Sequence, residues 1–181
     1  YEQITPKPRL HLYRNLGKLK FEDVSAKAGL GHTGWGQGVA AGDIDNDGLT
    51  DIFITQWGQN VMLRNRGDGT YRDEARQRGL AWPKARWSTG AAFLDYDRDG
   101  DLDLFVSNYV DFDQRNTPKP GDIAQCLWKT VGVTCGPRGL PGETMSLFNN
   151  DGKGNFTDVS DEAGVTVPKD YYGLTVLASD F

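Results

Sequence analysis

Two short stretches carry carboxylates at a spacing suited to holding a metal ion. DIDNDGLTD (43–51) and DYDRDGDLD (95–103) share the pattern D-x-D-x-D-G-x-x-D. Calcium takes six to eight hard oxygen ligands, and side chains at positions 1, 3 and 5 of a tight loop converge on one point while position 7 offers its main-chain carbonyl. Gly48 and Gly100 stand at position 6, where the chain must turn sharply. Without a cation, four carboxylates within nine residues repel one another. Magnesium demands near-octahedral geometry and keeps its waters, and zinc prefers Cys and His ligands, so Ca2+ is the expected cofactor. An EF-hand loop opens in the same way but closes with a bidentate Glu at position 12. Here that position is Ile54 or Val106, and a fourth aspartate stands instead at position 9. The competing reading makes these aspartates ordinary turn formers; two complete copies in register with a longer repeat argue against it.

That repeat positions the loops. Three segments align without gaps: LYRNLGKLKF (12–21), MLRNRGDGTY (62–71) and LFNNDGKGNF (147–156). Their tails, EDVSAKAGL, RDEARQRGL and TDVSDEAGV, run through Gly29, Gly79 and Gly164. A strand rich in small residues and then an aspartate follow each tail, at Asp43, Asp95 and Asp180. IFITQW (52–57) and LDLFVSNYV (102–110) read as strands, rich in β-branched and aromatic residues and bounded by Asp and Gly. The Asn-x-Gly-x-Gly turns at Asn65 and Asn150 supply left-handed positions for hairpins. The tails have helix formers for only about one turn each. Four short strands per unit of about 50 residues is the arithmetic of a β-propeller. The expected fold is therefore all-β, with blades of four antiparallel strands. The second acidic loop is separated from its hairpin by about 33 extra residues relative to the first, an insertion placed at 109–145 that holds both cysteines.

The quoted loops and hairpins together resemble FG-GAP/VCBS repeats, the blades of calcium-binding β-propellers such as the integrin α-chain head. They resemble bacterial relatives of cartilage acidic protein, a group often associated with an ASPIC/UnbV C-terminal segment, more closely than integrin blades. The resemblance covers nearly the whole chain. It implies one site at Asp43, Asp45, Asp47 and Asp51 with the Leu49 carbonyl, and a second at Asp95, Asp97, Asp99 and Asp103 with the Asp101 carbonyl. It also implies a propeller of about seven blades, of which this chain is expected to be a partial arc of residues 1–181. That arc divides into the end of one blade (8–30), a second blade (35–80), a third with its insertion (87–165) and the start of a fourth (171–181). Asp180 would be the first ligand of a truncated third site.

Other candidates are weaker. Cys126 and Cys135 lie in a Gly- and Pro-rich insertion too polar for a core of its own. A disulfide there would favour an extracytoplasmic setting, whether periplasmic, cell-surface or secreted; buried free thiols are the alternative. His11 and His32 lie in no catalytic motif, and three of the five tryptophans sit at strand ends, where packing explains them. Asn155-Phe156-Thr157 matches a glycosylation acceptor but falls within the repeat's own hairpin. A net charge of −5 without clustered Lys or Arg excludes a nucleic-acid module, and no window reaches the length of apolar chain that a membrane span needs. The 23 glycines fit a chain of many tight turns. These features point to a non-catalytic, calcium-stabilised interaction or structural module, whose partner is another protein or the remainder of its own propeller. The competing class is the scaffold domain of an enzyme, with its active centre in the channel or in blades beyond this sequence.

Overall fold

The computed structural model describes residues 8–113, 115, 119, 126–133, 136–137, 139–167 and 171–179. Every regular element among them is a β-strand. The strands are β1 (Tyr13–Gly17), β2 (Lys20–Asp23), β3 (Gly36–Gly42), β4 (Asp51–Gly58), β5 (Val61–Asn65), β6 (Tyr71–Asp73), β7 (Arg86–Leu94), β8 (Asp103–Asn108), β9 (Leu127–Trp128), β10 (Val131–Gly132), β11 (Ser146–Asn150) and β12 (Phe156–Asp158). Among the described residues no helix is long and apolar enough to cross a membrane.

The strands form antiparallel blades. β3, β4, β5 and β6 pair in chain order, and β7, β8, β11 and β12 do the same. The two blades join where the end of β4 meets the start of β7, with Trp57 opposite Trp87. The registers correspond: Ala40 faces Phe53 and Met62 faces Phe53 in one blade, as Ala92 faces Phe105 and Leu147 faces Phe105 in the other. The β1–β2 hairpin is a separate pair, turning through Lys18 and Leu19, both at positive φ.

Packing explains why β4 is apolar on both faces although successive side chains point in opposite directions. Phe53, with Met62 of β5, enters a core shared with Leu104, Val106, Phe148 and Phe156 of the second blade. Ile54, with Val61 and Leu63, enters another core closed by Ala28, Leu30, Leu10 and Leu12 from the segments around the first hairpin. A strand sandwiched between two neighbours in this way reads as a continuous apolar run, whereas a half-exposed strand alternates.

The tails form the single turns their composition allows. Ala28, Arg78 and Ala163 donate their amides to carbonyls four residues back, at Val24, Glu74 and Val159. The chain then reverses at a glycine, and Leu30, Leu80 and Val165 donate to Ser25, Ala75 and Ser160, the six-to-one bond of a Schellman stop. The tail also clamps the following unit. Tyr71 donates to the Ala28 carbonyl at 2.9 Å, and Phe156 donates to that of Arg78 at 2.8 Å. One bond, repeated at equivalent positions, ties each tail to the outer strand of the next blade.

The insertion leaves and rejoins the sheet as a pair, with Val110 bridged to Gly142 and the Asp111 amide donating to the Pro141 carbonyl at 2.9 Å. Within it β9 and β10 form a small hairpin. Its aromatic root packs edge-on, Trp87 against both Tyr109 and Phe112, and Trp57 against Phe112. Tyr109 meets Tyr172, whose hydroxyl donates to the Leu140 carbonyl at 2.9 Å.

Candidate metal centre

Each acidic loop links the innermost strand of a blade to the second, β3 to β4 and β7 to β8. The same bonds fold both. Asp43 accepts the amides of Asp47 and Gly48 at 3.1 and 2.7 Å, and Asp95 accepts those of Asp99 and Gly100 at 3.1 Å each. The position-5 carboxylates, Asp47 and Asp99, accept the position-7 amides of Leu49 and Asp101, each at 2.9 Å. Gly48 and Gly100 have φ of 83° and 94°, as the turn required. Position 4 is left-handed too, at Asn46 and Arg98, with φ of 56° and 65°.

The position-9 aspartates hold each loop to its sheet. Asp51 and Asp103 are both wholly buried. Asp51 accepts the Asn65 amide at 2.7 Å and Asp103 the Asn150 amide at 2.8 Å, so each closes its loop onto the hairpin strand of the same blade. Asn150 donates its side-chain amide across the blades to the Ile44 carbonyl at 2.7 Å and within its own blade to that of Leu102 at 2.9 Å. Asn46 of the first loop donates to the Asp101 carboxylate of the second at 2.9 Å.

Three carboxylates converge in each loop. One oxygen each from Asp43, Asp45 and Asp51 lie within 4.8 Å of one another, and so do oxygens of Asp95, Asp97 and Asp99. Asp47 stands outside the first group and Asp103 outside the second. The donor set is all-carboxylate, which fits calcium in place of zinc. Asp45 Oδ1 also fits a bound cation, being buried with no hydrogen-bond partner. Asp180 and Cys135 lie outside the described residues.

Sequence reasoning did not anticipate Arg64 on β5. Its guanidinium is largely buried and pairs with three of the four aspartates of the first loop: Asp45, Asp47 at 2.8 Å and Asp51 at 2.8 Å. The arginine hydrogen bond holds the Asp47 carboxyl below the usual carboxylate range. Among the described residues the second loop has no such cation. Asn149 occupies the equivalent hairpin position and donates to Asp97 at 2.9 Å. Burial pushes the Asp103 carboxyl up, and the neighbouring Asp97 and Asp99 charges add to the rise. Lining up the hairpins LRN (63–65) and FNN (148–150) contained the signal, an arginine replaced by an asparagine one residue before the turn.

The remaining candidates have structural surroundings. His11 pairs with Asp23 at 3.0 Å on the surface, and His32 hydrogen-bonds Gln56. Trp82 is buried against Phe148 with Arg86 over its ring.

The FG-GAP-like repeat matches residues 4–54 and again 43–106, a span that includes both acidic loops. The chain belongs to the FG-GAP-like repeat family. Among curated proteins, this FG-GAP-like chain is similar to cartilage acidic protein 1 from Homo sapiens, 37% identical over 94 residues. The proteins of that name from Mus musculus and Xenopus tropicalis are 35% and 34% identical over the same length. The aligned region is 51% of this chain and 14% of the human protein, so the chain spans a small part of these relatives.

Proposed function

We propose that this chain is part of a calcium-stabilised β-propeller that serves as a non-catalytic, extracytoplasmic interaction or structural module, as a subunit or domain of a larger assembly. The observation that carries the reading is the pair of equivalent loops, each bringing three carboxylates within 4.8 Å and tied by a buried aspartate to its blade. Asp43, Asp45, Asp47 and Asp51, with the Leu49 carbonyl, would hold one ion. Asp95, Asp97, Asp99 and Asp103, with the Asp101 carbonyl, would hold the other, and Asp180 would open a third site. The family and the similarity to cartilage acidic protein 1 support the non-catalytic reading.

In the same reading a Cys126–Cys135 disulfide closes the insertion and places the chain in an oxidising compartment. Cys126 is buried, and the Val133 amide donates to its carbonyl at 2.8 Å, which brings the chain back beside Cys126 two residues before Cys135. The insertion stands on a rigid aromatic root, the usual arrangement for a loop that contacts a partner.

An ion that binds only the folded state stabilises it by mass action, by about 4 kcal/mol per site at a thousandfold excess over Kd. For a domain of this size that is a rise in Tm of roughly 8–16 °C per site. Thermal unfolding in excess calcium and in excess chelator measures it. Identical melting in both would show that the loops are polar turns and no more.

A further inference from the structure

Resting on the calcium reading above, we propose that Arg64 is a built-in counter-cation that makes the two acidic loops unequal. The Asp43–Asp51 loop is held closed by the guanidinium and takes up calcium weakly; the Asp95–Asp103 loop, with neutral Asn149 in that place, takes it up tightly.

The two loops differ in charge at closely similar backbone geometry. Both loops share the bonds to their position-1 and position-5 carboxylates and the same anchoring aspartate. They differ in what β5 and β11 send into them. Arg64 reaches Asp45, Asp47 and Asp51, with only 11% of its side chain exposed. It sets one positive charge against four carboxylates. Asn149 brings a hydrogen bond to Asp97 but no charge. The second loop also carries a fifth carboxylate, Asp101, which accepts only the neutral Asn46 amide among the described residues. Arg98, exposed at the tip of that loop, makes no ion pair among the described residues. A calcium ion entering the first loop therefore meets a resident cation touching its own ligands, and one entering the second meets none among the described residues. A unit charge that close to a divalent ion, in surroundings partly shielded from water, lowers affinity by about tenfold or more.

The test is calorimetric titration of the chain with calcium chloride, alongside the R64N, R64K and N149R variants. The native chain should bind in two steps separated by about tenfold or more. R64N, which gives the first loop the residue the second has, should bring the steps to within a few-fold of each other. R64K keeps the charge and should leave them apart, and N149R should weaken the tight site. Two equal sites in the native chain, or a separation unchanged in R64N and N149R, would overturn the role of Arg64 while leaving calcium binding intact. No binding by any of the four proteins would overturn this inference together with the calcium reading beneath it.

Discussion

The clamp between successive blades can be tested at Gly79, with Gly164 as its internal control. Both glycines end the same kind of tail in the same left-handed conformation, with φ of 82° and 73°. Alanine at either position therefore carries the same backbone cost, about 1 kcal/mol. Their surroundings differ. A methyl group at Gly164 meets nothing within 4 Å, whereas one at Gly79 collides with the Phe156 carbonyl in the outer strand of the next blade. That neighbour is main chain and cannot swing aside. Phe156 is itself buried and bonded through its amide to the Arg78 carbonyl at 2.8 Å. Moving it far enough to clear the methyl breaks that bond and loosens the ring in the shared core, adding about 2–3 kcal/mol. Gly164→Ala should cost about 1 kcal/mol and Gly79→Ala about 3–4 kcal/mol. Urea unfolding of the two variants beside the native chain measures both. Equal losses would mean that the tail does not press on the next blade, and the repeated bond would lose its role as an inter-blade clamp.

Asp23 accepts the hydroxyl and amide of Ser25, with His11 alongside, and these bonds, the Ser25 hydroxyl foremost, hold its carboxyl down at about 2. Because the folded value lies below the ordinary 3.8, the bonds contribute fully above about pH 4 and are lost as pH falls through about 2; an NMR titration of the Asp23 side chain with its midpoint near 4 would contradict this. If Cys126 and Cys135 are joined, thiol-specific labelling of the unfolded chain should occur only after reduction, and labelling without a reductant would remove the argument for an oxidising compartment.

Much of this architecture could be read from the sequence because repetition amplifies weak local signals. A single Asn-x-Gly-x-Gly run is one turn among many, but in register with two other hairpins it marked the blade unit. The aspartates of the two loops were legible for the same reason. Arg64 was not, because a lone arginine on a strand says nothing about where its guanidinium goes; the carboxylates it meets are 13 to 19 residues earlier in the chain. Asn46 was missed for a related reason. Its partner, Asp101, is 55 residues away on the neighbouring blade, and the register between blades is a property of the sheets.

The position-9 aspartate serves the fold directly. An EF-hand closes its loop with a glutamate on the exiting helix. Here the chain leaves the loop as a strand, and residues beyond position 9 are drawn into the sheet, so Ile54 and Val106 face apolar cores instead. Asp51 and Asp103 are the last residues able to reach back. Each is bound through one oxygen to a hairpin amide, Asn65 or Asn150, while the other accepts an amide at the start of its own loop, Ile44 or Tyr96. A buried carboxylate in that position is costly alone, and a cation beside it offsets much of that cost. The first loop gains that cation from Arg64, within its own blade. Among the described residues Asp103 has only hydrogen bonds, so the second blade has more stability to gain from an added ion.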